Sequence, residues 1–238
     1  RVFPLSCLRS PIHRENLKAS VQIRKLVSEN HYDIVHCHTP IASACARIAC
    51  RGLRKTEKVK VVYTAHGFHF YSGAPVKNWL LYFPVEYLCS YWTDMLITIN
   101  REDYKRAKKK LHAVQTAYVP GVGIDTRKFQ KEIDADKAEA MTGREKVRKE
   151  FGIPKDALLL LSVGELNENK NHEVILRALK KLKVYYIIVG SGKKLAYLKG
   201  LAAELHLEKR VRFAGYRLDV ADFYDAADLY VLPSKREG

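Results

Sequence analysis

The sequence has no cysteine pair at CxxC spacing, no run of roughly 18 consecutive apolar residues, and neither of the two familiar glycine fingerprints for phosphate. Each absence excludes something. Cys7, Cys37, Cys45, Cys50 and Cys89 are odd in number and irregularly spaced. They argue against a disulfide framework and read as small buried apolar side chains in a reducing cytosol. Cys37–His38 lacks the spaced partner pair that zinc needs. Without a long apolar run, no transmembrane helix is expected, and no signal peptide is visible. Gly190-Ser191-Gly192-Lys193-Lys194 resembles the end of a P-loop, but Ile187 stands where the upstream glycine belongs and Lys194 replaces Ser/Thr. Gly121-Val122-Gly123 lacks the third glycine of a dinucleotide fingerprint. The chain opens Arg1-Val2-Phe3-Pro4 and stops at Gly238 directly after a strand, so it is expected to be cut short at both ends.

Acidic residues are also scarce. Asp plus Glu number 26 against 42 Lys plus Arg, a formal net charge of +16. So basic a chain should meet an anion: nucleic acid, a membrane surface or a phosphorylated small molecule. Charge alone does not choose.

What is present is alternation. Residues 33–38, 58–64, 95–99 and 116–119 are β-rich apolar runs, and helical spacing occupies 17–29, 40–53, 77–92 and 101–112 between them. Residues 122–155 interrupt the rhythm: a charged linker with one amphipathic helix near 143–151, closed by Gly152 and Pro154. A second block follows, with strands at 157–163, 184–189, 210–213 and 228–232 and helices at 172–182, 193–206 and 218–226. Strand–helix alternation predicts parallel sheets covered by helices on both faces. The expectation is an α/β chain of two Rossmann-like domains, 1–121 and 156–238, around the linker.

In such sheets ligands bind at the carboxyl ends of the strands. The turns there read Gly164-Glu165-Leu166-Asn167-Glu168-Asn169-Lys170, Gly190-Ser191-Gly192-Lys193, Ala214-Gly215-Tyr216 and Pro233-Ser234-Lys235-Arg236-Glu237-Gly238. Each carries glycine, which lets backbone amides approach a phosphate, and three carry lysine. This is the pattern of a diphosphate site.

These turns resemble the donor domain of retaining GT-B glycosyltransferases of the group 1 family. The family pattern has a glycine and a basic residue after the first strand, then a lysine; Gly164 and Lys170 match, while Glu165 stands where many members have arginine. Glu237-Gly238 after Pro233-Ser234 matches the family's Glu-Gly. His66, in Thr64-Ala65-His66-Gly67, matches a family histidine that faces the donor sugar, and Val119-Pro120-Gly121-Val122-Gly123-Ile124-Asp125 resembles the stretch at the family's domain junction. The resemblance covers essentially the whole chain and is most detailed to bacterial enzymes of capsular polysaccharide, exopolysaccharide or O-antigen assembly.

It implies transfer of a hexose or N-acetylhexosamine, with retention and without a metal. The donor would be a nucleotide-diphosphate sugar, UDP-sugar being the expected one, and the acceptor a lipid diphosphate or a growing glycan. The nucleotide sugar is a co-substrate, and no cofactor is expected. Asp134-Ala135-Asp136 has the letters of a metal motif but lies in the linker. By the same resemblance Lys170 neutralises the leaving diphosphate, Glu237 and Gly238 hold donor hydroxyls, and His66 hydrogen-bonds the donor sugar. The segment with Val211 and Phe213 contacts the base through backbone groups, with strand-edge core as the plain reading of the two side chains. Gly190 and Gly192 are either turn glycines or neighbours of the diphosphate. Glu165 pairs with Lys170, binds a hydroxyl, or has no direct role. His38 reads as satisfying local backbone.

Residues 77–88, rich in aromatics, and the basic face 105–110 read as a core helix and a solvated face, or as a docking surface for anionic lipid at the inner face of the plasma membrane. A nucleic-acid-binding protein is the competing class, but the lysines are dispersed and no helix-turn-helix or RNP-like motif is present.

Overall fold

The computed structural model describes residues 1–8, 10, 13–121, 123–126 and 141–237. They divide into two compact units, Arg1–Gly123 and Ile124–Glu237.

The first unit runs α1 (Glu15–Glu29), β1 (Ile34–His38), α2 (Pro40–Cys50), α3 (Leu53–Thr56), β2 (Lys60–Ala65), α4 (Val76–Ser90), β3 (Met95–Thr98), α5 (Arg101–Lys110) and β4 (Gln115–Tyr118). Its strands form a parallel sheet in the order β1-β2-β3-β4. Cys37, Val61, Tyr63 and Ala65 face a core shared with Ala19, Ile23, Ala46 and Cys50 of α1 and α2. The alternate face of β1, carrying Ile34, His36 and His38, is exposed, so helices do not cover both faces here. The core also encloses a charged pair. Arg47 and Glu86, 1% and 5% exposed, meet at 2.9 Å, and the Tyr63 hydroxyl donates to the same carboxylate at 3.1 Å. Two opposite charges this close offset each other's loss of water, but removing either strands its partner.

The second unit runs α6 (Gly143–Glu150), β5 (Leu159–Val163), α7 (His172–Leu179), β6 (Tyr185–Val189), α8 (Leu195–Glu204), β7 (Val211–Gly215), α9 (Val220–Ala226) and β8 (Leu229–Tyr230). Its parallel sheet has the order β7-β6-β5-β8. Both faces are buried: Tyr186 and Ile188 join Leu176, Leu179 and Leu201, while Ile187 and Val189 join Val147, Leu159 and Phe223. That double burial is why β5 and β6 read as unbroken apolar runs.

Helix α6 starts on a capping box, Thr142 and Glu145 each bonding the other's backbone N–H. It packs on α9, and Arg144 and Arg148 both bond Asp228, each at 2.9 Å. The C-terminal part of the expected linker is therefore built into the second unit. Residues 127–140, with Asp134 and Asp136, lie outside the described residues.

Candidate functional site

The order β7-β6-β5-β8 reverses direction at β5: the chain leaves it for β6 on one side and returns to β8 on the other. Such a reversal opens a crevice between the carboxyl ends of β5 and β8, where open α/β sheets bind ligands. The turn after β5 carries Lys170 and the segment after β8 carries Glu237. Lys170 Nζ and Glu237 Oε1 are 2.6 Å apart. The ammonium's hydrogen bond is the foremost cause holding the Glu237 carboxyl below its ordinary pKa. Lys170 thus pairs with Glu237 rather than with Glu165.

Two asparagines fasten the two segments, and a third, Asn167, braces the first of them. Asn169 donates to Arg236 O at 2.7 Å and its carbonyl accepts from Lys235 N at 2.8 Å. Asn171 donates to Pro233 O. Asn167 accepts from Lys170 N at 2.9 Å and donates to Glu165 Oε2 at 3.0 Å, which turns that carboxylate toward its own loop. The stem of Lys170 lies over Gly164, where an added Cβ would meet its Cε at 3.5 Å.

The expected glycines have a packing reason of their own. A Cβ on Gly190 would sit 1.9 Å from Gly164 O, and one on Gly192 would sit 2.5 Å from Leu166 O. Both also have positive φ, 139° and 157°. Only glycine lets the turn after β6 press against the turn after β5.

A cavity of about 300 Å³ opens at the carboxyl ends of β5, β6 and β7, bordered by Gly164, Glu165, Gly190, Ser191, Tyr216 and Arg217. That is roughly the lower end of the range for small-molecule pockets. Val211 does not reach it: at 5% exposure its side chain is in the core, and half-buried Phe213 packs against the same cluster. The aromatic and cationic walls are instead Tyr216, 75% exposed, and Arg217, bonded to Asp219 and Glu150. The sequence singles out this turn as Ala214-Gly215-Tyr216 but not Arg217, whose place on the wall depends on its distant partner Glu150. Gly238 lies outside the described residues.

In the first unit His66 follows β2 directly. Its Nε2 is 3.0 Å from Nδ1 of His38, at the end of β1. His38 thus bonds a side chain on the neighbouring strand rather than local backbone. Burial, then the neighbouring rings of His36 and His66, push its pKa below the ordinary value of 6.5. Helix α4 turns Trp79, Tyr82 and Phe83 to the core and leaves Val76, Leu80 and Leu88 exposed, while Lys110 of α5 lies over the Trp79 and Phe83 rings. Among the described residues no His, Cys, Asp and Glu cluster is arranged to hold a metal, and no helix is long and apolar enough to cross a membrane.

Residues 143–238 match the family model for glycosyl transferases group 1, and residues 2–100 the glycosyl transferase 4-like model. The chain belongs to the group 1 glycosyltransferases. A Bacillus subtilis (strain 168) protein provisionally named glycosyltransferase EpsD is 38% identical over 99% of this chain and 61% of its own length. An Escherichia coli UDP-Gal:alpha-D-GlcNAc-diphosphoundecaprenol alpha-1,3-galactosyltransferase is 29% identical over 94% of this chain and 57% of its own. The crystal structure of Anabaena HepE with UDP and glucose superposes with a TM-score of 0.73 at 20% identity, covering 97% of this chain and 60% of that one. The fold is GT-B. This group 1 chain spans about three fifths of the length of the two curated relatives.

Proposed function

We propose that this glycosyltransferase moves a hexose or N-acetylhexosamine from a UDP-sugar to a lipid-linked or polysaccharide acceptor in bacterial surface glycan synthesis. The observation that carries the reading is the Lys170–Glu237 pair at the β5/β8 reversal. An ammonium there can exchange its carboxylate for a diphosphate oxygen and offset the charge that grows on the leaving nucleotide. The freed Glu237 carboxylate is then an acceptor for donor hydroxyls. Gly164, Gly190 and Gly192 keep backbone close to that anion without side-chain obstruction. The base is assigned to the cavity beside Tyr216 and Arg217, with backbone near Val211 and Phe213 along its edge. His66 is assigned a hydrogen bond to the donor sugar. Support for UDP and for a lipid-diphosphate acceptor comes from the relatives' own names and complexes. Retention and independence from metal follow from the family resemblance. The protein is assigned to the inner face of the plasma membrane, through the exposed apolar face of α4.

Calorimetric titration of UDP, with GDP and ADP as comparisons, tests the donor site. UDP is expected to bind selectively, and Lys170→Ala to weaken it by about 2 kcal/mol, roughly 30-fold, the size of one charge-assisted hydrogen bond. GDP preference would change the donor and keep the site. Equal binding by wild type and Lys170→Ala would remove Lys170 from it.

A further inference from the structure

The three histidines at the exposed end of the first sheet form a connected row. The side-chain alternation of β1 puts His36 and His38 on one face, and the parallel register sets His38 opposite Thr64, two residues before His66. His36 Nε2 bonds Thr64 Oγ1 at 2.8 Å. The His36 and His38 rings lie 4.4 Å apart, and His38 Nδ1 meets His66 Nε2 at 3.0 Å. Two neutral imidazoles in contact share one hydrogen: one nitrogen donates it and the other accepts. The contact occupies Nε2 of His66 and leaves Nδ1 as the ring nitrogen for a ligand.

We propose that His38 is a positioning residue for His66, holding its ring plane and tautomer through this bond so that Nδ1 meets a sugar hydroxyl. The inference rests on the assignment of His66 to the sugar. His36, anchored on Thr64 and packed against His38, limits the rotation of the middle ring.

Two measurements decide it. In ¹⁵N imidazole spectra of the chain, His66 is expected to show one fixed tautomer. His38→Ala is expected to release it to tautomer averaging, and His38→Asn, whose amide occupies the place of Nδ1, to restore it. In the full-length protein the readout is UDP release from UDP-glucose, UDP-galactose or UDP-N-acetylglucosamine, whichever turns over. His38→Ala is expected to lower kcat by about 10-fold or more, with KM for the UDP-sugar changed less than about twofold, as for a misplaced group rather than a lost binding contact. His38→Asn should recover most of the loss, and adding His38→Ala to His66→Ala should cost nothing further. Wild-type kcat in His38→Ala alone, beside an impaired His66→Ala, would overturn the positioning role only. Wild-type turnover in His66→Ala would remove the assignment beneath it, and the inference falls with it. An unchanged fixed tautomer in His38→Ala would also overturn it.

Discussion

The cysteines show how a residue's surroundings set its chemistry. Cys37, Cys45, Cys50 and Cys89 are buried in the first unit, and Cys7 is half-buried. Burial is the foremost cause pushing the Cys37 thiol up to about 12 and the Cys50 and Cys89 thiols up to about 11. Only the thiolate is an effective nucleophile, so at pH 8 these three present about one reactive form in a thousand or fewer, behind packed side chains. Iodoacetamide is therefore expected to alkylate Cys7 alone in the folded chain and all five cysteines after denaturation, as read by intact mass. Rapid native alkylation at Cys37 or Cys89 would contradict the core described here. The same reasoning separates Arg47–Glu86 from Lys170–Glu237. The first pair is buried and bonded to Tyr63 and Ser43. The second is 23% and 46% exposed and can exchange partners.

At the scale of elements, both units use one device to start a strand. An aspartate just before β3, Asp94, accepts from Val61 N on β2 and from the Arg54 fork. Asp228, just before β8, accepts from Leu159 N on β5 and from Arg148, with Arg144 on its other oxygen. Burial works to raise both carboxyl pKa values, but the backbone N–H and arginine bonds outweigh it and hold them below 3.8. A carboxyl depressed in the folded state contributes its full stability above 3.8, and that contribution disappears as pH falls through the depressed value. Asp228→Asn is therefore expected to lower the midpoint of urea unfolding at pH 7 and to flatten the decline in stability below about pH 4. An acid limb as steep as that of the wild type would place the titrating groups elsewhere.

Much of this was legible in the sequence. Apolar runs and helical spacing located the elements, because β5 and β6 are buried on both faces and α1 and α2 have sided patterns. The turns after the strands located Lys170, Glu237 and His66. What stayed hidden depended on register and on distant partners. Nothing local to His38 says that the register of β1 on β2 carries it to His66. Asn169 and Asn171 read as loop residues until their partners in 233–236 are seen.

For the molecule as a whole, the excess of 16 positive charges matters most where it meets exposed apolar surface. Val76, Leu80 and Leu88 of α4 are 73%, 74% and 53% exposed. Lys110 borders the same helix through the Trp79 and Phe83 rings. Between α1, α2 and α4 lies a largely apolar cavity of about 330 Å³, lined in part by Leu17, Ile48, Leu81 and Val85. On the proposed reading this face rests on an anionic bilayer, apolar side chains entering the interface and lysines meeting headgroups. Each basic residue near such a surface contributes about 1 kcal/mol, a share that fades as salt screens it. Co-sedimentation with phosphatidylglycerol–phosphatidylcholine vesicles should therefore exceed that with pure phosphatidylcholine and fall with added salt. Replacing Lys108, Lys109 and Lys110 by glutamine should weaken it roughly 100-fold. Leu80→Asp with Leu88→Asp should weaken it at every salt concentration, because the apolar share is not screened. Binding to anionic vesicles that ignores the leucines but follows the lysines would mean a purely electrostatic contact, and no binding even at low salt would remove this face from any membrane role.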